Sequence, residues 1–175
     1  VIREAGHPVV DRQGVAAARE LLQMVEGLEA EDTVLFLLSG GGSALFELPL
    51  VPLAELADVN QQLLSCGASI EEVNAVRKRL SAVKGGRFGE RCAPARVLSV
   101  ILSDVVGDRP DVIASGPAVL DKSTCAEAIA VAARYRLRLS AQAARCLREE
   151  TPKALPNGEA LVTGGVAQLC RQAET

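Results

Sequence analysis

Two short apolar runs without polar alternation constrain the fold of this chain most strongly. They span residues 33–38 and 97–102, and a third, weaker run lies near 160–162. A strand whose apolar residues are not interrupted by polar ones is covered on both faces, as the strands of a parallel sheet are. The runs therefore predict buried strands in a largely parallel sheet.

Amphipathic segments fill the intervals between these runs. Apolar residues recur at spacings of three and four, which is typical of helices. This spacing predicts helices over about 13–27, 53–65, 70–84, 124–135 and 140–149, with a final helical stretch near the end of the chain. Ser69 with Glu72, and Thr124 with Glu127, have the spacing of capping boxes at two of the helix starts. The alternation of strands and helices predicts a single layered α/β domain over residues 1–175.

The composition excludes several kinds of functional site. The chain has one histidine, and aromatic residues make up 2% of it. A multi-histidine metal centre is therefore excluded, and aromatic platforms for single-stranded nucleic acid nearly so. The formal charge of −3 is too small to draw the whole protein to nucleic acid or to an anionic membrane. Any anion site must therefore be local.

The cysteines, the apolar segments and the N-terminus indicate where in the cell the protein is expected. The five cysteines are odd in number, widely spaced and free of any C-x-x-C pair, which favours reduced thiols in a cytosolic protein. No segment approaches the roughly 18 consecutive apolar residues of a membrane span, and no signal peptide opens the chain. We expect a cytoplasmic protein without membrane or nucleic-acid partners. Because Val1 stands where a start methionine would be, we interpret the chain as a piece of something longer.

A glycine-rich segment follows the first predicted strand. It reads Ser39-Gly40-Gly41-Gly42-Ser43 and is called the glycine loop below. Consecutive glycines let backbone amides turn toward one point and bind an anion, and the two hydroxyls would add donors. The loop matches neither standard nucleotide fingerprint, since Leu45 stands where G-x-G-x-x-G requires glycine. A tight strand-to-helix turn is the alternative, but a place at the carboxyl end of a strand favours ligand binding.

The helix predicted over 70–84 carries a basic stripe beside its apolar one. The stripe comprises Asn74, Arg77, Lys78, Ser81 and Lys84. With no acidic residue on it, these three cations suit a clamp on a phosphorylated or carboxylated ligand. Gly85 and Gly86, directly after the stripe, would let a ligand approach the backbone closely. The alternative is a solvated basic face.

Acidic residues follow the second predicted strand. Asp104 ends it and Asp108 lies one loop turn later, where phosphoryl-transfer enzymes often place carboxylates for Mg²⁺. Asp108 could instead simply shape a turn. Further along, Ser115 and Gly116 form either another backbone nest or an ordinary turn. His7, between glycine and proline, is interpreted as a loop-packing residue rather than a proton shuttle.

Taken in order, these segments resemble the class II glycerate 2-kinases, whose bacterial members are often labelled hydroxypyruvate reductases. The resemblance runs from Gly6 to about Asp121. It is carried by the motifs Gly6-His7-Pro8-Val9, Ser39 to Leu45, Asn74-Ala-Val-Arg77-Lys78, Leu80-Ser81, Lys84-Gly-Gly-Arg87, Ser103-Asp104-Val105, Gly107-Asp108 and Ile113 to Pro117. It implies a Rossmann-like three-layer α/β/α domain facing a second domain across a cleft. It also implies transfer of the γ-phosphoryl group of ATP, with Mg²⁺, to the 2-hydroxyl of D-glycerate, giving 2-phosphoglycerate.

The resemblance also implies roles for individual residues. Arg77, Lys78 and Lys84 would be catalytic and neutralise transferring charge, while Asp104 and Asp108 would bind or orient the metal. The remaining positions would bind phosphate or glycerate, namely Ser39, Gly40, Gly41, Gly42, Ser43, Asn74, Ser81, Gly85, Gly86, Ser115 and Gly116. The family's upstream glycine-lysine-alanine motif and its C-terminal domain have no counterpart in these residues, so we expect one wall of a cleft that is inactive alone. A homodimer is compatible with the sequence.

Two other functions stay open from the residues. An NAD(P)H-dependent hydroxypyruvate reductase would need a dinucleotide fingerprint with an acidic residue about 20 positions on, and we find none. A non-catalytic domain could bind a phosphorylated or carboxylated metabolite through the same glycine loop.

Overall fold

The computed structural model describes residues 1–103 and 107–165. Within these ranges three strands form one parallel sheet in the order β1-β2-β3. They are β1 (Thr33–Leu38), β2 (Arg96–Leu102) and β3 (Gly158–Gly164). The α/β class and the parallel sheet predicted from the sequence are confirmed.

Helices connect the strands. The described residues form α1 (Arg12–Met24), α2 (Gly42–Leu45), α3 (Leu53–Ser65), α4 (Ile70–Arg79), α5 (Arg87–Arg91), α6 (Cys125–Arg134) and α7 (Ala141–Cys146), with a 3-10 turn at Ile113–Ser115. Both capping boxes form, at the starts of α4 and α6. The sequence did not reveal α2 and α5, which are too short to show a helical period. The predicted final helix lies among residues 166–175, outside the described part of the chain. None of the described helices has the length and apolarity needed to cross a bilayer.

The fourth helix ends earlier than predicted. It stops at Arg79, five residues before Lys84, because the next backbone groups pair with another segment. The amide of Leu50 donates to the carbonyl of Leu80 and the amide of Ala82 donates to the carbonyl of Leu48, both at 2.8 Å. Long-range pairing thus overrides the helical period, and the predicted basic stripe is not one helix face.

The two faces of the sheet differ in burial. One face is buried against α1 and α5, where Val97 and Phe88 share a core with Leu22. On the other face Leu35 and Leu37 are 59% and 69% exposed. The expectation that β1 is covered on both faces is therefore wrong. Among the described residues, no layer covers the second face of the sheet.

A second core holds the remaining long helices together. It is formed by α3, α4, α6 and α7, with Val59, Leu63 and Val76 fully buried at its centre. Because one side of α4 packs into this core, its neighbouring side is left to meet the loops that follow β1 and β2. This placement builds the site described next.

Candidate functional site

A cavity of about 360 Å³ lies beyond the carboxyl end of β1. The whole glycine loop lines it, together with Asn74 and Arg77 of α4 and the segment Val112–Ala114. Of the residues predicted to form a site, the structure therefore gathers the glycine loop, Asn74 and Arg77 around one space. We call it the glycine-loop cavity. No acidic side chain lines it among the described residues.

Two of the loop glycines are required by the backbone. Gly41 adopts φ 83°, in the left-handed region that favours glycine. A Cβ at Gly42 would lie 2.8 Å from the Cβ of Ala114, so only glycine lets the loop lie this close to the 3-10 turn. Within the described part of the chain, the amides of Gly41, Gly42 and Ser43 donate to no protein acceptor. Three donors are thus left for a bound anion.

Asn74 presents a buried donor at the same place. Its side-chain oxygen accepts a hydrogen bond of 2.9 Å from the Ser115 hydroxyl, which fixes the amide group. Its Nδ2 atom is buried and has no hydrogen-bond partner among the described residues. Leaving such a donor unpaired costs about 1–3 kcal/mol, a cost that a ligand oxygen would remove.

Backbone strain supports this arrangement. Ala114 and Ser115 adopt φ 50° and 61°, and Gly116 follows at 61°. Non-glycine residues in this region cost about 1–3 kcal/mol each and cluster at functional sites. Here the strained turn holds Ser115 against Asn74.

Arg77 supplies the cation of the cavity. Its Nε atom donates to Asn60 Oδ1 at 2.8 Å, and its two terminal nitrogens form no hydrogen bond with the described residues. Burial lowers the pKa of the guanidinium, and the nearby Glu47 carboxylate opposes that shift. A half-buried guanidinium with free donors is suited to a carboxylate or a phosphate.

Lys84 was predicted to be catalytic, but the structure places it beneath the cavity rather than in its lining. It is 1% exposed, and its ammonium donates to the carbonyls of Ser43, Phe46 and Ala114 at 3.0, 3.2 and 3.4 Å. Glu47 Oε2 lies 3.6 Å away. Burial is the largest cause that lowers the pKa of Lys84, and Glu47 opposes it. Lys84 therefore ties the glycine loop to the 3-10 turn.

Lys78 and Ser81 also lie outside the lining of the glycine-loop cavity. The Lys78 ammonium pairs with Asp121 Oδ1 at 2.9 Å, and both side chains are buried. The Ser81 hydroxyl accepts hydrogen bonds from the backbone amides of Val83 and Lys84. The sequence showed no acid on the basic stripe because Glu47 and Asp121 reach it from distant segments.

Gly85, Gly86, Ser115 and Gly116 contact each other instead of the cavity. The amides of Gly85 and Gly86 donate to the carbonyls of Ser115 and Gly116 at 3.0 and 2.8 Å. Both pairs of residues are buried. The glycines allow close approach of protein backbone, not of a ligand, and the Ser115 side chain is linked to the cavity through its hydrogen bond to Asn74.

The predicted metal residues are described only in part. Asp104 lies outside the described residues. The Oδ1 atom of Asp108 is buried and has no hydrogen-bond partner in the described ranges, and a Cβ at Gly165 would overlap this carboxylate. Carboxylate oxygens are the ligands that Mg²⁺ prefers, and Mg²⁺ usually takes one or two of them, so Asp108 fits this ion. Groups of three or more His, Cys, Asp or Glu side chains that could hold a metal are absent from residues 1–103 and 107–165.

Two supporting residues carry no local sequence signal, and a third was interpreted from the sequence as a loop-packing residue. Glu47 and Asp121 are buried acids that follow no recognisable motif. His7 was interpreted as loop-packing, and a Cβ at Gly41 would lie 3.2 Å from its Cδ2 atom, so it lies against the glycine loop. The motif Gly6-His7-Pro8-Val9, which contributes to the family resemblance, is the local sequence signal for this position.

Comparisons with known proteins match this region closely. The profile of a family described as a domain of unknown function (DUF4147) matches residues 1–148. The chain is 52% identical to a D-glycerate 2-kinase of Thermotoga maritima in an alignment of 176 positions that covers 99% of this chain and 42% of the relative. It is 47% identical over 157 residues to an Agrobacterium vitis protein that carries the name hydroxypyruvate reductase, covering 87% of this chain and 36% of that protein.

A solved structure has the same fold. The crystal structure of the glycerate kinase from Thermotoga maritima superposes with a TM-score of 0.93 at 52% identity, over 97% of this chain and 42% of that chain. The chain thus spans about two fifths of the length of these two Thermotoga matches.

Proposed function

The chain belongs to the DUF4147 family of glycerate kinase homologues, and on this premise we propose that it binds D-glycerate in a kinase that uses ATP and Mg²⁺ to phosphorylate the 2-hydroxyl. The resemblance read from the motifs is confirmed by this membership. One observation carries the proposal: three backbone amides without protein acceptors, the Asn74 amide and the Arg77 guanidinium converge on a cavity lined by no described acid. Such a cavity selects an anion.

The residues of the cavity suit the charges of this reaction. D-glycerate is a carboxylate, and phosphoryl transfer depends mainly on positioning and on stabilising negative charge. The glycine-loop amides and Arg77 would hold the carboxylate or a transferring phosphate, and Asn74 would donate to a neighbouring oxygen. Mg²⁺ held by Asp108 would neutralise charge on the phosphates.

The proposal assigns only part of the catalytic machinery to these residues. The relatives with the same domain are longer, since the chain covers 42% of the Thermotoga maritima kinase. We therefore propose that the described residues form one wall of a cleft, and that these residues alone do not complete a catalytic turnover.

The direct test is a product assay on the complete gene product. With ATP, Mg²⁺ and D-glycerate, we expect 2-phosphoglycerate, identified by phosphorus NMR. Phosphate on the 3-hydroxyl would contradict the proposed position, and oxidation of NADH by hydroxypyruvate without ATP would favour a reductase. Binding of glycerate without turnover would favour a non-catalytic binding domain.

A substitution links the activity to the cavity. We expect Arg77→Met to lower kcat/KM by at least about tenfold, or about 1.4 kcal/mol of transition-state stabilisation, because the cavity loses its cation. The matched control is Arg91→Met, at the exposed end of α5 away from the cavity. Equal effects of the two substitutions would contradict the role of Arg77.

A further inference from the structure

A second cavity adjoins the glycine-loop cavity. It has a volume of about 390 Å³ and lies between α4, α6 and the segments 109–112 and 121–123. Asn74 and Val112 line both cavities, so one ligand could extend from one space into the other. We call the second space the α4–α6 cavity.

The α4–α6 cavity has the wrong charge for a phosphate chain. Its described lining contains the acids Glu71, Glu72, Asp111, Asp121 and Glu127 against four cations. Three of the cations are already paired with these acids, namely Arg109, Arg134 and Lys78. The glycine-loop cavity has the opposite character, with Arg77 and no acid in its described lining. A ligand that spans both would be anionic at one end only.

The lining of the α4–α6 cavity suits an uncharged, hydrogen-bonding group. Ala75, Val112, Ala130 and Val131 offer aliphatic surface on which a flat ring can pack. Carboxylate oxygens around them can accept hydrogen bonds from hydroxyl and amino groups. At the junction of the cavities stands Asn74 with its buried, unpartnered Nδ2 atom, a donor placed for an oxygen between the two ends of a ligand.

We propose that the α4–α6 cavity binds the adenosine part of ATP, with the phosphates directed past Asn74 toward the glycine loop. This inference rests on the proposed kinase function, which supplies the identity of the nucleotide. It assigns the base and ribose to α4 and α6, and the transferring end to the glycine loop.

A cavity-filling substitution tests the site. Ala130 lines the α4–α6 cavity and is exposed, so Ala130→Phe should occupy the space without disturbing the core. In the complete gene product we expect the Kd of adenosine and of ADP to rise at least about tenfold and the Kd of D-glycerate to stay within about twofold, measured by calorimetry. Ala133→Phe is the control, since Ala133 is exposed on the same helix outside the lining.

Three results would overturn the assignment: no adenosine binding by the wild type, an unchanged adenosine Kd in Ala130→Phe, or an equal rise for glycerate. Unfolding midpoints of the two phenylalanine variants, together with Ala130→Leu, separate a filled cavity from a disturbed fold. The kinase assay distinguishes the two hypotheses. If the wild type binds adenosine, Ala130→Phe weakens that binding and the wild type never phosphorylates glycerate, the proposed function is refuted and the adenosine site is not. An active Ala130→Phe enzyme with an unchanged KM for ATP refutes the adenosine site alone.

Discussion

Replacing Lys84 by methionine tests whether this residue holds the site together. The ammonium donates to the carbonyls of Ser43, Phe46 and Ala114 and lies 3.6 Å from the carboxylate of Glu47. Methionine keeps most of the apolar stem, so little cavity forms. The variant therefore isolates the loss of the charged group.

The expected cost follows from these contacts. Each hydrogen bond to a charged group is worth about 1.5–3 kcal/mol, but the three bonds share one donor atom and do not add. Removing one partner of a buried ion pair costs about 3–5 kcal/mol because the other charge is left uncompensated. We expect Lys84→Met to lower the free energy of unfolding by about 3–5 kcal/mol, a large part of the 5–15 kcal/mol typical of a domain.

Urea denaturation followed by circular dichroism measures this change, since the chain has no tryptophan. Adding Glu47→Gln to Lys84→Met should recover at least about 1 kcal/mol by removing the stranded carboxylate. The control is Lys122→Met, an exposed lysine without an ion pair to the described residues, with an expected change within about 0.5 kcal/mol. The role of Lys84 in tying the glycine loop to the 3-10 turn would be refuted by either of two results. One is a loss of less than about 1 kcal/mol in the free energy of unfolding for Lys84→Met, and the other is a further loss when Glu47→Gln is added.

Three further predictions concern the glycine loop, acid stability and the metal. Gly41→Ala and Gly27→Ala should each cost about 1–2 kcal/mol because both glycines have positive φ, but only Gly41→Ala should also weaken phosphate binding in a titration; equal binding losses would contradict the loop assignment. Burial alone would raise the pKa of Glu150, but hydrogen bonds that its carboxylate accepts from Cys125, Lys153 and Arg79 lower this pKa from 4.5 to about 2. The stabilisation is therefore present above pH 4.5 and is lost as the pH falls toward 2. The unfolding midpoint of Glu150→Gln should fall less steeply with acid than that of the wild type, and parallel curves would refute this. Asp108→Asn should raise the Mg²⁺ concentration for half-maximal activity at least about tenfold, and an unchanged Mg²⁺ dependence would exclude Asp108 as a ligand.

Helix α4 shows how far local sequence reaches. Its start was predictable because Ser69 and Glu72 satisfy each other's backbone amides within one turn. Its end was not predictable, because the amide of Ala82 donates to the carbonyl of Leu48. A pairing with a residue so distant in the sequence leaves no trace in the helical periodicity. The error moved Ser81 and Lys84 off the helix face on which they were expected.

The candidate site likewise has one part that could be predicted from the sequence and one part that could not. The glycine loop was recognisable because consecutive glycines directly follow an apolar strand and can turn their backbone amides toward one point. The separation of Arg77 from Lys78 was not recognisable, although they are neighbours in the chain. Arg77 lines the cavity, whereas Lys78 is buried against Asp121, 43 positions away.

By itself, the sequence determined the strands, the starts of the longer helices, the parallel α/β fold and the place of the glycine loop, because each depends on residues within a few positions of one another. Only the tertiary structure decided which cation lines the cavity and which cations are neutralised inside the protein. Burying a lysine requires an acid or carbonyl partner to compensate the lost hydration, and for Lys84 those partners come from the Ser43–Glu47 segment and from Ala114. The fold brings these partners next to Lys84. Because they are distant from Lys84 in the sequence, no local pattern predicts them.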